Sequence, residues 1–147
     1  MTLDEMVDEW EKDCKIDWTE PDKESLKVSE LHHKYLKMLT NARVSLRKYI
    51  AQRKELNKHK WAYFQGDLNG DPLLEKLGWE PYLGKKVLKV DMERHINADS
   101  DVQKVDYKVS YLEEKIVFLE GVLKSIYARG FQIRDFITWQ QFTNGTR

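Results

Sequence analysis

The chain has 147 residues, with 34% charged and 41% apolar side chains, and its 25 basic and 25 acidic residues give no net charge. This length suits one compact domain or one extended helical protomer, and the apolar content excludes a disordered chain. The single cysteine, Cys14, excludes a disulfide framework, and no apolar run reaches the roughly 18 residues of a membrane span. We therefore expect a soluble, cytosolic protein without a membrane partner.

The neutral total conceals two oppositely charged segments. Residues 1–25 carry ten acidic and three basic side chains, a net charge of minus seven. Residues 34–60 carry nine basic side chains and one acidic one, Glu55, a net charge of plus eight. The chain is therefore strongly polarised along its sequence.

Two helical patterns occupy the first part of the chain. Thr2 followed by Glu5 predicts a capping box, and a short amphipathic helix begins behind it. After an irregular link that ends at Pro21, a second helical pattern meets no glycine or proline before Gly66. It predicts a helix of about 40 residues, with its weakest point at residues 40–41.

The next stretch, from Gly66 to Gly84, is punctuated by glycine and proline and is typical of a connector. Beyond it, Val87 and Val90 alternate with lysines, which predicts a short strand. Such a strand would form half of a short β-hairpin between residues 66 and 98.

The most regular pattern in the sequence is a coiled-coil repeat between Ser100 and Arg129. Eight apolar residues follow three-then-four spacing, so all of them fall on one helical seam. Ser100 with Gln103 predicts a capping box at the start, and Gly130 predicts the end, which gives a helix of about 29 residues. The residues of the seam are Val102, Val105, Val109, Leu112, Ile116, Leu119, Leu123 and Ile126.

Apolar residues beside the seam widen this face beyond what a two-stranded zipper needs, which favours more than two neighbouring helices. Those neighbours belong either to other copies of the chain or to the same chain, and the pattern alone favours neither. The seam is therefore a candidate oligomerisation surface. Behind it, residues 131–142 form a last short amphipathic segment, whose aromatic side chains tie it to a neighbouring protomer or to its own core.

The basic stretch between Arg43 and Lys60 is the best candidate for a functional site. Cations that neutralise phosphates, interleaved with rings that stack on bases, suit sequence-tolerant binding of single-stranded nucleic acid. The alternative is a solvated helix face whose aromatics lie in the core, but the near absence of acidic residues argues against it. The predicted DNA-binding residues are Arg43, Arg47, Lys48, Arg53, Lys54, Lys58, His59, Lys60, Trp61 and Tyr63.

The sequence contains no phosphate-binding glycine loop, no nucleophile elbow and no paired-cysteine metal motif. Its histidines are adjacent or isolated, so they predict no metal site. We therefore expect a protein that is not an enzyme and that has no catalytic residues and no cofactor.

Several short groups of residues keep a characteristic order and spacing along the chain. They are Asp13, Ile16 and Asp17; Ala51, Gln52 and Lys54; Tyr63, Gly66, Gly70 and Asp71; Lys104, Val105 and Asp106; and Ala128, Arg129, Gly130, Phe131 and Ile133. This ordered set resembles the UvsY family, the recombination mediators of T-even-type bacteriophages. The likeness covers most of the chain and is weakest between Pro72 and Asn97.

This resemblance implies a non-enzymatic, mostly helical protein that assembles through its C-terminal helices into a ring-like, heptameric homo-oligomer. It implies binding of single-stranded DNA, a weakened hold of the phage single-strand-binding protein, and help for a phage RecA-like recombinase in nucleating its filament. The setting it implies is the cytoplasm of the infected bacterial host. It also implies that residues 58–63 match the family's DNA-binding segment. There Lys60 stands in place of an arginine, which keeps the charge but loses the bidentate fork.

Together these observations predict a mainly α fold of long helices with a C-terminal coiled-coil-like oligomerisation helix. Residues 1–66 form an acidic N-terminal helix and a long basic DNA-binding helix. Residues 67–98 form the connector with the hairpin, and residues 99–147 form the oligomerisation helix and the C-terminal amphipathic segment, all within one protomer fold.

Two hypotheses follow for the function. In the first, a ring repeats one modest basic site many times and binds a DNA strand by avidity. The acidic segment then either contacts a basic partner protein or screens the basic site when DNA is absent. In the second, the chain is a structural coiled-coil adaptor whose basic helix binds an acidic protein partner.

Overall fold

The computed structural model describes residues 1–145, which contain five α-helices. No strand occurs among these residues, so the mainly α prediction is confirmed. None of the helices in this range combines the length and the apolar character that a membrane span requires. The helices are α1 (Leu3–Asp13), α2 (Pro21–Phe64), α3 (Pro72–Leu77), α4 (Lys89–Asn97) and α5 (Ser100–Thr143).

The first helix begins as the sequence predicts. The Glu5 backbone N–H donates to Thr2 Oγ1 at 3.2 Å, and the Thr2 N–H donates to the Glu5 carboxylate at 2.7 Å. These two bonds close the capping box and satisfy backbone donors that a helix start otherwise leaves unpaired.

Helix α2 runs without a break through residues 40–41, where the sequence indicated its weakest point. The Thr40 hydroxyl donates to the Leu36 carbonyl at 2.9 Å, which accommodates a β-branched polar residue inside the helix. Leu39 and Ala42 are buried on either side of this point. Packing of the apolar face therefore stabilises the helix where local propensity is weak.

The β-hairpin expected between residues 66 and 98 is absent, and that part of the prediction is wrong. These residues contain α3, α4 and an irregular segment between them. The Val87 N–H donates to the Phe64 carbonyl at 3.3 Å, at the end of α2, and Leu88 is the extended residue that precedes α4. The alternating run was too short to distinguish a strand from an extended helix cap.

The predicted start of the coiled-coil helix is displaced by one residue. The capping side chain is that of Asp99 rather than Ser100. Its Oδ2 accepts hydrogen bonds from the backbone N–H groups of Asp101 at 3.0 Å and Val102 at 3.3 Å. A carboxylate in this position also complements the positive end of the helix dipole.

The predicted end of this helix is wrong. Helix α5 continues through Gly130 to Thr143, and it absorbs the separate C-terminal segment expected over residues 131–142. A glycine inside a helix costs only about 0.5–1 kcal/mol. Ile133 on the next turn is fully buried, and this burial stabilises the extension.

The chain forms two compact units, to which α2 and α5 each contribute a part. Unit 1 consists of residues 1–44 and the residues from Glu113 onwards, and unit 2 consists of Ser45–Leu112. The buried apolar core of unit 1 contains Met6, Tyr35, Leu39, Ala42, Leu119, Val122 and Ile126. That of unit 2 contains Phe64, Met92, Ile96 and Val102.

A buried ion pair joins three segments of unit 1. Arg129 is 3% exposed, and its Nη2 donates to the Glu24 carboxylate at 2.8 Å while its Nη1 donates to the Asp13 carbonyl at 2.8 Å. The Lys27 ammonium also donates to Glu24, at 2.9 Å. Hydrogen bonds from Lys27 and Arg129 hold the pKa of the Glu24 carboxyl below its ordinary value, although burial opposes this shift.

Candidate nucleic-acid interface

Three exposed cations of α2 form a stripe on the solvent face of unit 2. Arg47, Lys54 and Lys58 lie at positions i, i+7 and i+11, which return to the same face of a helix, with Ala51 between them. All three are exposed, and none makes a salt bridge within residues 1–145. We call these three residues the basic stripe; it extends about 16 Å along the helix axis.

The opposite face of the same helix is buried. Leu56, Lys60 and Phe64 follow at intervals of four and pack into or against the core of unit 2. Because packing fixes which face of the helix is covered, the basic stripe is held towards solvent.

The other predicted cations of α2 have different surroundings. Lys48 is exposed and makes no salt bridge in the described part of the chain. Arg43 belongs to unit 1, where its Nη2 donates to the Glu120 carboxylate at 2.8 Å. Both partners of this pair are about half exposed, so it contributes at most about 1 kcal/mol and opens readily.

Arg53 is engaged inside unit 2. Its side chain is 22% exposed, and its Nε donates to the Asp106 carboxylate at 2.7 Å. Its Nη2 donates to Asn97 Oδ1 at 3.0 Å, and its Nη1 donates to Asn57 Oδ1 at 3.4 Å. Arg53 thus joins α2 to α4 and α5. Unlike the residues of the basic stripe, it is mostly covered.

Lys60 is the most enclosed of the predicted DNA-binding residues. Its side chain is only 4% exposed, and its Nζ lies 3.2 Å from Asp99 and 3.1 Å from Asp101. The same ammonium lies 4.0 Å from the ring centroid of Trp79 and 5.3 Å from that of Tyr63. A buried ammonium requires such partners, because an uncompensated charge in this position would be costly.

The predicted aromatic residues belong mostly to the edge of the core. Tyr63 donates its hydroxyl hydrogen to the Glu80 carbonyl at 2.7 Å, and its ring contacts those of Phe64, Trp79 and Tyr82. Trp61 is half-buried and packs against the same core. His59, in contrast, is half-buried beside an open groove of unit 2.

The buried position of Lys60 can be seen in the sequence only when each residue is assigned to a face of the helix. It lies four residues after Leu56 and four before Phe64, on the apolar face rather than the basic one. Counting charges along the segment missed this, because a count ignores the side of the helix on which each charge lies. The acidic partners Asp99 and Asp101 lie too far away in sequence for any local rule to pair them with it.

The predicted oligomerisation seam is divided by the fold. Val102, Leu112, Leu119 and Ile126 are buried within the protomer, whereas Val105, Val109, Ile116 and Leu123 are half-buried. Part of the seam therefore packs inside the chain. The remaining members are only partly covered.

A second apolar surface lies on the part of α5 that belongs to unit 1. Tyr127 is 71% exposed, Phe131 41% and Phe142 77%, and their spacings of four and eleven return to one face of the helix. The rings of Tyr127 and Phe131 lie 5.1 Å apart. Exposed aromatic side chains aligned on one helix face are typical of interaction surfaces. We call Tyr127, Phe131 and Phe142 the aromatic face.

Residues 1–145 contain no cluster of histidine, cysteine or acidic side chains arranged to hold a metal ion. What the arrangement offers chemically is a row of exposed cations on a rigid helix, which suits recognition of a phosphate backbone.

Comparison with known proteins agrees with this reading. A family model described as "Recombination, repair and ssDNA binding protein UvsY" matches residues 9–146. The recombination protein UvsY of Enterobacteria phage T4 is 28% identical over 145 residues, which is 99% of each chain. Two crystal structures of the bacteriophage T4 recombination mediator protein UvsY match with TM-scores of 0.84 at 27% identity. One covers 98% of each chain, and the other covers 97% of this chain and 99% of that chain. The resemblance seen in the sequence is thereby confirmed, and the chain belongs to the UvsY family of recombination, repair and single-stranded-DNA-binding proteins.

Proposed function

We propose that this chain is a recombination mediator. It binds single-stranded DNA as a homo-oligomer and promotes the loading of a RecA-like recombinase onto strands covered by single-strand-binding protein. The observation that carries the proposal is the basic stripe, three exposed cations without salt bridges in residues 1–145 on one face of α2. Membership of the UvsY family supports the same class of function.

The proposal assigns phosphate contacts to the basic stripe and to Lys48, because these side chains reach solvent without any rearrangement. Arg53 and Lys60 act indirectly: their ion pairs hold α2 in place and keep the stripe on the outer face. Arg43 supplies a further cation when its exposed pair with Glu120 opens.

Self-association would multiply this modest site. The aromatic face supports an assembly of several copies, since exposed aromatic rings aligned along one face of a helix gain by being covered. The heptameric ring that the resemblance implies would present the basic stripe many times. Linked weak sites raise the overall affinity by orders of magnitude when one strand reaches several of them.

A strand bound in this way would be held by its backbone in a geometry that the recombinase prefers. The single-strand-binding protein would lose contacts as the strand transfers, and the recombinase filament would nucleate there. These partners are the phage RecA-like recombinase and the phage single-strand-binding protein, in the cytoplasm of the infected bacterial host. The role requires no catalysis by this chain.

Fluorescence anisotropy of a labelled oligo-dT tests the DNA-binding part of the proposal. The wild type and a Lys54→Ala/Lys58→Ala variant are titrated across a salt series, with duplex DNA as competitor. We expect weaker binding and a shallower salt slope for the variant. With two fewer phosphate contacts, binding of the strand releases fewer counterions. A Lys37→Ala/Lys124→Ala variant, which removes two exposed lysines of unit 1, is the matched control.

Two outcomes would contradict this part. If the wild type does not bind the single strand even at low salt, the coiled-coil adaptor with an acidic protein partner becomes the better account. If both double variants weaken binding equally, the effect is one of net charge, and the stripe is not the site.

Recombinase loading is tested separately, with single strands coated by single-strand-binding protein and a RecA-like recombinase. The wild type should shorten the lag before the recombinase begins DNA-dependent ATP hydrolysis, and the Lys54→Ala/Lys58→Ala variant should not. A lag that is unchanged by the wild type would refute the mediator role, even if DNA binding is established.

A further inference from the structure

A groove on unit 2 lies on the flank of α2, between the basic stripe and the buried face, and the proposed function above gives it no role. Its volume is about 300 Å³, several times that of a water molecule, and it is open to solvent. Four of its residues are spaced by three, one and three along α2, so they share one face of that helix. The lining residues are Gln52, Glu55, Leu56 and His59 of α2, Leu77 of α3 and Val105 of α5.

The walls of this groove are chemically divided. Leu56, Leu77 and Val105 are half-buried aliphatic side chains, and the imidazole of His59 adds a flat π surface. Gln52 and Glu55 are exposed and can exchange hydrogen bonds with the edge of a ligand. An occupant with an apolar face and a polar edge fits these walls, and a nucleobase has both.

The two lysines that flank the groove outnumber its one acidic lining residue, Glu55, and favour a nucleotide over an apolar protein side chain. Lys58 directly precedes His59 and lies one turn beyond Glu55, and Lys48 lies one turn before Gln52. Both lysines are exposed and make no salt bridge within residues 1–145. A base in the groove would therefore have cations on both sides along the helix, where its neighbouring phosphates would lie.

We propose that this groove receives one nucleobase of a single strand whose phosphates contact the basic stripe. The inference rests on the proposed function and deepens it. The stripe alone recognises a phosphate backbone, whether the strand is single or paired. A base can enter the groove only when it is unstacked and unpaired, so the groove would give the preference for single strands.

The test compares two labelled strands of equal length, oligo-dT and a strand of abasic sugar phosphates, by fluorescence anisotropy. The wild type should bind oligo-dT more tightly than the abasic strand. His59→Ala should weaken binding of oligo-dT at least about fivefold, as loss of base stacking does, and leave the abasic strand unaffected. His59→Phe, which keeps a ring without a titratable nitrogen, should restore binding of oligo-dT. His33→Ala, an exposed histidine of the same helix in unit 1, is the matched control.

The outcomes separate this inference from the proposed function. If the wild type binds both strands equally, the groove assignment fails and the stripe remains the site. If the wild type binds neither strand, the proposed function itself fails. A His59→Ala variant that weakens both strands alike, or one that changes the oligomeric mass in light scattering, would show a structural or intersubunit role and overturn the assignment.

Discussion

Lys58 and Lys60 are close in sequence on α2 but have opposite environments. A helix turns about 100° per residue, so side chains two positions apart point to nearly opposite sides. Lys58 is exposed without a salt bridge in residues 1–145, whereas Lys60 lies between Asp99 and Asp101 under the ring of Trp79. The same residue type thus serves two purposes: one lysine is free to meet a ligand, and the other stabilises unit 2.

Substitution of these two lysines should separate stability from DNA binding. Lys60→Met leaves two carboxylates facing each other without their cation, and we expect the free energy of unfolding to fall by about 2–3 kcal/mol. Lys58→Met should change it by no more than about 0.5 kcal/mol. Urea unfolding followed by circular dichroism measures both. A Lys60→Met variant as stable as the wild type would show that the pairing with Asp99 and Asp101 contributes nothing.

The buried Glu24–Arg129 pair predicts a dependence of stability on pH. The pKa of Glu24 is lowered from its ordinary value of 4.5 by hydrogen bonds from Lys27 and Arg129. A carboxyl whose pKa is lower in the folded state stabilises that state above its unfolded pKa, and this stabilisation is lost as the pH falls through the folded pKa. We therefore expect the wild type to lose stability below about pH 4.5.

A Glu24→Gln variant tests this linkage. At neutral pH it leaves the Arg129 guanidinium without its carboxylate, and we expect a loss of about 3 kcal/mol in the free energy of unfolding. In acid, the free energies of unfolding of this variant and the wild type, measured by urea unfolding, should differ less, because the wild-type carboxyl is then protonated and is also uncharged. Glu30→Gln, at an exposed site of the same helix, should show no such pH dependence. A difference between wild type and Glu24→Gln that is constant with pH would contradict the assignment.

At the scale of the elements, the sequence predicts the long helices well and their boundaries poorly. The seam between Val102 and Ile126 repeats often enough to establish a helix without any other information. Gly130 predicts its end because glycine commonly follows a helix, but tertiary burial of Ile133 overrides that signal. The short alternation at Val87 and Val90 carried too little information to exclude a helix cap.

The candidate site was also predictable only in part, because some of its features are local in sequence and others depend on contacts between distant residues. The sequence located the basic stretch of α2 and its exposed members Arg47, Lys54 and Lys58. It did not reveal that Lys60 is buried, because its acidic partners come from the start of α5 and only the fold brings them close. The groove that includes Leu77 and Val105 is also non-local, since three separate helices line it.

Substitution of two glycines tests whether backbone conformation explains where helices α3 and α5 end. At Gly130 a Cβ would meet only Val28 Cγ1 at 4.0 Å, an ordinary contact inside a helix. Gly130→Ala should therefore raise the free energy of unfolding by about 0.5–1 kcal/mol. Gly78 ends α3 with φ of 69°, so Gly78→Ala should lower it by about 1 kcal/mol. Thermal unfolding of both variants measures the contrast, and stabilisation by Gly78→Ala would refute the conformational explanation.

At the scale of the whole molecule, the apolar residues of α5 serve two kinds of contact. Leu119 and Ile126 are fully buried in unit 1 and belong to the folding of the protomer itself. The aromatic face remains exposed on the same helix. The fully buried members of the seam are occupied by the protomer core, so the proposed assembly must use side chains that the protomer leaves uncovered.

Charged substitutions on the two surfaces should therefore have different consequences. Tyr127→Glu/Phe131→Glu would place carboxylates where apolar burial is expected between copies, at a cost of several kcal/mol per interface, and should yield monomers that keep their helicity. Because avidity is lost with the assembly, these monomers should bind oligo-dT more weakly by orders of magnitude. Leu119→Glu should instead unfold unit 1, because its side chain is 0% exposed within the protomer. Light scattering gives the mass and far-ultraviolet circular dichroism the helicity. An unchanged mass for the double variant would place the intersubunit contact elsewhere, while a folded monomer from Leu119→Glu would place it on the seam.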